Sequence, residues 1–123
     1  MKAGDVITQV DTENPNIFDP KTKLIWLNDL DNRVFNSVIL THEHEKDIER
    51  KAIESVGDEL LIPEPYGMDC YTAYIKAKIS AAYMETERHN QHMTMFNSFY
   101  QDFLNYYNRE HMPLSRGGNR LKF

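Results

Sequence analysis

The stretch His-Glu-His-Glu-Lys-Asp, residues 42–47, gathers metal ligands and titratable groups in one place. Zinc hydrolases place two histidines one helical turn apart, with a glutamate beside the first. His42 and His44 are two apart, so they diverge on a helix and share a face only on a strand. A third ligand would have to come from elsewhere, and nothing nearby supplies it. The spacing favours a solvated polar loop. A second cluster, Glu85, Glu87, His89 and His92, sets two histidines at i, i+3. Di-metal helical bundles need Glu-x-x-His, whereas Glu85 is followed at that step by Arg88 and Glu87 by Asn90. Polar residues at a helix junction account for these four. Cys70 has no basic sequence neighbour to favour the thiolate that nucleophilic chemistry requires. Gly117-Gly118 lacks the Lys-Ser/Thr of a phosphate loop. No nucleophile, base and orienting group come together, so the expectation is a non-enzymatic protein with no catalytic residues, no cofactor and no metal ligands.

The elements that would position these groups read as helices. Val6, Ile7 and Val10 line one side of a short helix over 4–12, broken at Asn14-Pro15. Asp19-Pro20 is a helix start, an N-cap acid followed by a residue pre-set for the first turn. From there Leu24, Leu27, Leu30 and Val34 recur at helical steps, widened by Trp26 and Phe35, to about residue 37. Residues 38–62 are irregular. SVILT suits a strand or an extended exit, and ELLIPEP suits a second short strand ending at Pro63 and Pro65. Residues 68–112 read as two long helices folded into a hairpin that turns near 86–91. The expected fold is mainly α: a small bundle of about four helices, with a long loop or short β-hairpin between the second and third.

Composition sets the outer bounds. The chain has 123 residues, 41% hydrophobic and 27% charged, as for one globular domain. No run of about 18 apolar residues predicts a membrane span, and MKAGDVITQV lacks the apolar core of a signal peptide. A single cysteine permits no internal disulfide and fits a reducing compartment. The net charge is −5. Residues 113–123 hold Arg116, Arg120 and Lys122 and no acid, so residues 1–112 carry −8. The organisation expected is one helical domain over 1–112 and a basic, flexible C-terminal arm over 113–123. An acidic body is a poor free-standing DNA binder, because duplex affinity rests on cations.

Aromatic residues dominate the last helix. FNSFYQDFLNYYNREHM carries rings at 96, 99, 100, 103, 106 and 107, spread over more than a third of a helical circumference. So small a bundle can hardly cover them all, and tyrosine and phenylalanine are favoured where proteins meet. Phe99, Tyr100, Phe103, Tyr106 and Tyr107 are therefore the candidate interface residues.

The phrases WLNDLD, ELLIPEPY followed by YTAYIKAKI, and MFNSFYQDFLNYYNREHMP occur in that order across roughly 14–113. In this order the chain resembles small head–tail connector, or portal-adaptor, proteins of tailed bacteriophages. The resemblance implies a homo-oligomeric ring, often a dodecamer, docked beneath the portal protein and extending the DNA exit channel. It also implies a next neck or tail-completion protein as partner, DNA passing without sequence-specific binding, no membrane, and a place in the virion after assembly in the host cytoplasm. Under this reading the aromatic helix supplies one ring face and the small-residue stretch 73–82 the other. The polar loop HEHEKDIERK lines the channel or meets the next ring, and Arg116, Arg120 and Lys122 form an arm toward the portal. Two alternatives stay open: an acidic helical adaptor or regulator that binds one protein without forming a ring, and a metal-dependent enzyme using His42, His44, His89 or His92.

Overall fold

The computed structural model describes residues 1–42 and 48–112. Four α-helices form a small bundle: α1 (Ala3–Glu13), α2 (Pro20–Val34), α3 (Gly67–Ala82) and α4 (Thr86–Glu110). The expected mainly helical class is what the chain adopts. The Thr22 amide donates to the Asp19 carboxylate at 2.9 Å with Pro20 at the first helical position, so α2 starts where its sequence says. That bond holds the Asp19 carboxyl below its ordinary range. α1 has no side-chain cap. Its first amides instead reach the long loop, Ala3 N–H to Asp58 O at 2.9 Å and Gly4 N–H to Val56 O at 2.8 Å. The loop thus satisfies donors that a helix start leaves orphaned.

α3 is the central element and packs against each of the other three helices. Its residues 70–75 are all buried, as are Ala77, Ile79 and Ser80, so it is apolar nearly all round. Against it lie Val6 and Val10 of α1 and Leu27, Leu30 and Val34 of α2 in one core. Two ion pairs tie α1 down: Lys23–Asp11 at 2.5 Å to α2 and Lys76–Glu13 at 2.5 Å to α3. Gly67 has a steric reason, because a Cβ there would lie 2.5 Å from Ile62 O.

Three local expectations need correction. SVILT is not a strand: Phe35–Ile39 continues α2 as a π-helical turn, closed by Leu40 N–H to Phe35 O at 2.9 Å. Val38 thereby stays in the core one turn beyond Val34, which an extended exit would not achieve. ELLIPEP is not a strand either. Of the long loop and the hairpin, the chain takes the loop, and Lys2 pairs with Glu59 of that loop in a single β-bridge. Pro63 lies in a turn, its carbonyl accepting from the Tyr66 and Gly67 amides. The helical hairpin turns at 83–85, before the polar 86–91 stretch. Met84, at φ 61°, occupies the left-handed position after α3; its N–H reaches Ala81 O and that of Glu85 reaches Ser80 O. This is the Schellman pattern, with methionine where glycine is usual.

No helix among the described residues is long and apolar enough to cross a membrane.

Candidate functional site

α4 is 25 residues long and α3 is 16. At 1.5 Å per residue, α4 outruns its partner by about 13 Å. The overhanging turns close on the loop. Tyr106 packs on Tyr66 with ring centroids 4.9 Å apart, and Tyr107 meets the His42 ring edge-on at 4.9 Å. His42 is the cross-tie. It is 8% exposed, its Nδ1 donates to Val38 O at 2.6 Å, and its Nε2 lies 2.6 Å from the Asn108 carboxamide. Both ring nitrogens are thus engaged within the fold. His44 lies outside the described residues, together with the rest of 43–47.

Of the other chemical candidates, His89 and Glu85 have structural partners. His89 donates from Nδ1 to Ala77 O at 2.9 Å, bracing the start of α4 on α3. His92 lines a groove beside Lys76, and burial first, then the Lys76 and Arg88 charges, lowers its pKa and favours the neutral ring. Glu85 lies 4.0 Å from Arg88, and Glu87 sits exposed in the first turn of α4. Among the described residues no three His, Cys, Asp or Glu side chains are grouped as a metal ion would need. Cys70 is fully buried, and burial, then Asp31 and Asp69, pushes its thiol up to about 12, far from a thiolate at neutral pH.

A buried polar network was not legible from spacing. Asp31 of α2 is 0% exposed; it accepts from the Tyr71 hydroxyl of α3 and, at 3.1 Å, from the Leu61 amide. The same hydroxyl accepts from the Ile62 amide at 2.9 Å. One turn earlier, Asn28 Oδ1 accepts from Arg50 Nη2 at 2.6 Å and from the Ile53 amide at 2.9 Å. Two polar side chains of α2 therefore do for the loop backbone what a neighbouring strand would do. Burial raises the pKa of Asp31, opposed by the Tyr71 hydroxyl, the Leu61 amide and the Arg50 charge.

The five candidate interface residues divide. Phe103 is 1% exposed and sits between Tyr100 and Tyr107, with centroids at 6.2 and 5.8 Å, so it is subunit core and offers no surface. Phe99, Tyr100, Tyr106 and Tyr107 are half-buried. Burial raises the phenol pKa of Tyr100 and Tyr107. The bundle covers more of the stripe than its angular spread suggests, because the loop and Tyr66 shield the end that overhangs α3. Of the small residues on α3, Ala73 and Ala77 are core, while Ala81 and Ala82 are exposed. Arg116, Arg120 and Lys122 lie outside the described residues.

Sequence reasoning missed the methionines that extend the surface. A groove of about 230 Å³ runs between α1, α3 and α4, with Met68, Met95 and Phe99 on its apolar side and the Lys76–Glu13 pair on the other. Met95 is 50% exposed. A second apolar patch lies at the helical turn, where Ile17 is 86% and Met84 88% exposed beside Tyr83. The Ile17 amide donates to the Tyr83 hydroxyl at 3.1 Å and Phe18 packs on that ring. Methionine spacing at 68, 84 and 95 gives no periodic signal, so only the fold joins these residues to their neighbours. No protein-family model, curated protein or solved structure matches the chain.

Proposed function

We propose that this chain is a non-enzymatic virion structural protein, a head–tail connector whose copies form a ring beneath a phage portal and extend the DNA exit channel. The observation that carries this reading is the one-sided packing of α4, which buries only Phe96 and Phe103 of its 25 residues. Beside them Phe99, Tyr100, Tyr106 and Tyr107 remain half-open, next to Met95. A ring repeats one heterologous contact, so each copy needs two different faces. The Met68–Met95–Phe99 groove and the Ile17–Tyr83–Met84 patch are two separate apolar surfaces of the kind such a contact uses. The order of elements supports the reading too: short helix, WLNDLD helix, long loop, helical hairpin, as the resemblance to connectors implies. The engaged nitrogens of His42 and the buried thiol of Cys70 support a binding role over a catalytic one.

The test is co-sedimentation of the purified chain with its cognate portal protein. The proposal expects several copies to travel with each portal ring. A complex with one copy per partner molecule would identify a simple adaptor instead, and no association with portal would reject the connector reading.

A further inference from the structure

A cleft of about 180 Å³ opens between the end of α2, the second half of α3 and the start of α4. Its walls carry Arg33, Lys78 and His89; its floor is Tyr74, Ala77, Ala81 and Met93. No acidic side chain lines it, although the chain as a whole is −5. Among the described residues Arg33 and Lys78, like Lys2, Lys21, Arg50 and Arg109, have no carboxylate within ion-pair distance, and of these six only Arg33 and Lys78 line this cleft. Lys78 Nζ lies instead 5.4 Å from the centre of the Tyr74 ring, a cation–π position that holds the ammonium at the cleft. The His89 bond to Ala77 O fixes the third wall.

We infer that this cleft receives an acidic side chain presented by a partner protein. The carboxylate meets Arg33 and Lys78, and aliphatic neighbours on the same segment rest on Ala81 and Met93. A nucleic-acid backbone fits less well. The −8 of residues 1–112 opposes a polyanion, and the methyl-lined floor has a use only for a ligand with an apolar part. The inference does not rest on the connector reading, because it concerns a different surface from the α4 groove.

The experiment is a methyl NMR titration of the full chain, labelled at Ala and Met methyls, with the capped peptide acetyl-Gly-Leu-Glu-Leu-Glu-Gly-amide. Its Gln counterpart, sodium acetate and a short DNA duplex are run alongside. With the Glu peptide the inference expects the largest shifts at Ala81 and Met93, and a smaller one at the buried Ala77 methyl beneath them. In Arg33→Gln/Lys78→Gln the affinity falls about tenfold, the loss of two half-exposed ion pairs. If that variant melts early, either single substitution carries the test, with a smaller loss. Four results would each overturn the inference: no shift with the Glu peptide, shifts elsewhere, equal binding by the Gln peptide or by acetate alone, or displacement of the peptide by the duplex.

Discussion

Tyr71→Phe removes a single oxygen that joins three elements. The hydroxyl donates to the buried Asp31 carboxylate of α2 and accepts from the Ile62 amide of the loop. A hydrogen bond to a charged group is worth about 1.5–3 kcal/mol, and a buried amide left without an acceptor costs about 1–3 kcal/mol more. The expected loss at pH 7 is about 3–5 kcal/mol, a large share of the stability of a domain this size. It should lower the melting temperature by roughly 10–20 °C. The loss also depends on pH in a defined direction. Burial lifts the native pKa of Asp31 above its ordinary 3.8, and the Tyr71 hydroxyl is the largest influence holding it down. For a carboxyl raised in the folded state, the stabilising contribution is present below the unfolded pKa and is lost as pH rises through the native one. Without the hydroxyl the native pKa climbs further, so the variant loses more than wild type at high pH. The gap between the two proteins should narrow as the pH falls from 7 toward 3.8. The lowered carboxyls of Glu13, Asp19 and Asp58 cost stability over the same acid range, but equally in both proteins. Urea unfolding of both proteins across this range measures the difference. A loss under about 1 kcal/mol, or a gap that stays constant with pH, would refute the assignment of this network as the clasp between α2, α3 and the loop.

Other perturbations probe separate parts of the molecule. Phe96→Ala opens a cavity beside Tyr74 and Tyr100 and should cost about 3–5 kcal/mol in chemical unfolding, while a near-neutral value would place that ring outside the core. Met84→Gly relieves the left-handed backbone at an 88% exposed position and should stabilise by up to about 1 kcal/mol, seen as a higher melting temperature. Met95→Lys, on the open side of the α4 groove, should leave melting unchanged and weaken portal association by about tenfold or more, the scale of one buried methionine contact.

Much of the architecture follows from short-range chemistry. Asp19-Pro20 marks the start of α2, Asn14-Pro15 the end of α1, and the apolar spacing from Tyr71 to Ile79 the inner face of α3. The failures have physical causes. Strand propensity in SVILT yields to burial of Val38, which the π-helical turn keeps in the core. The turn at Met84 carries neither glycine nor proline, so the polar residues after it misplace the bend. The loop between α2 and α3 is held by Asn28 and Asp31, whose partners on the loop backbone are amides far along the chain, and amides leave no trace in residue type. Ring count alone overstates the exposed aromatic surface, since Phe103 turns inward and Tyr106 and Tyr107 find Tyr66 and His42. The groove residues Met68 and Met95 meet only in three dimensions.

The most direct measurement is electron microscopy of portal particles saturated with this protein. The connector account predicts a continuous ring of added density, coaxial with the channel, in which neighbouring copies touch through the α4 groove and the Ile17–Tyr83–Met84 patch. Bare portal rings beside a protein that stays monomeric in native mass spectrometry would contradict it.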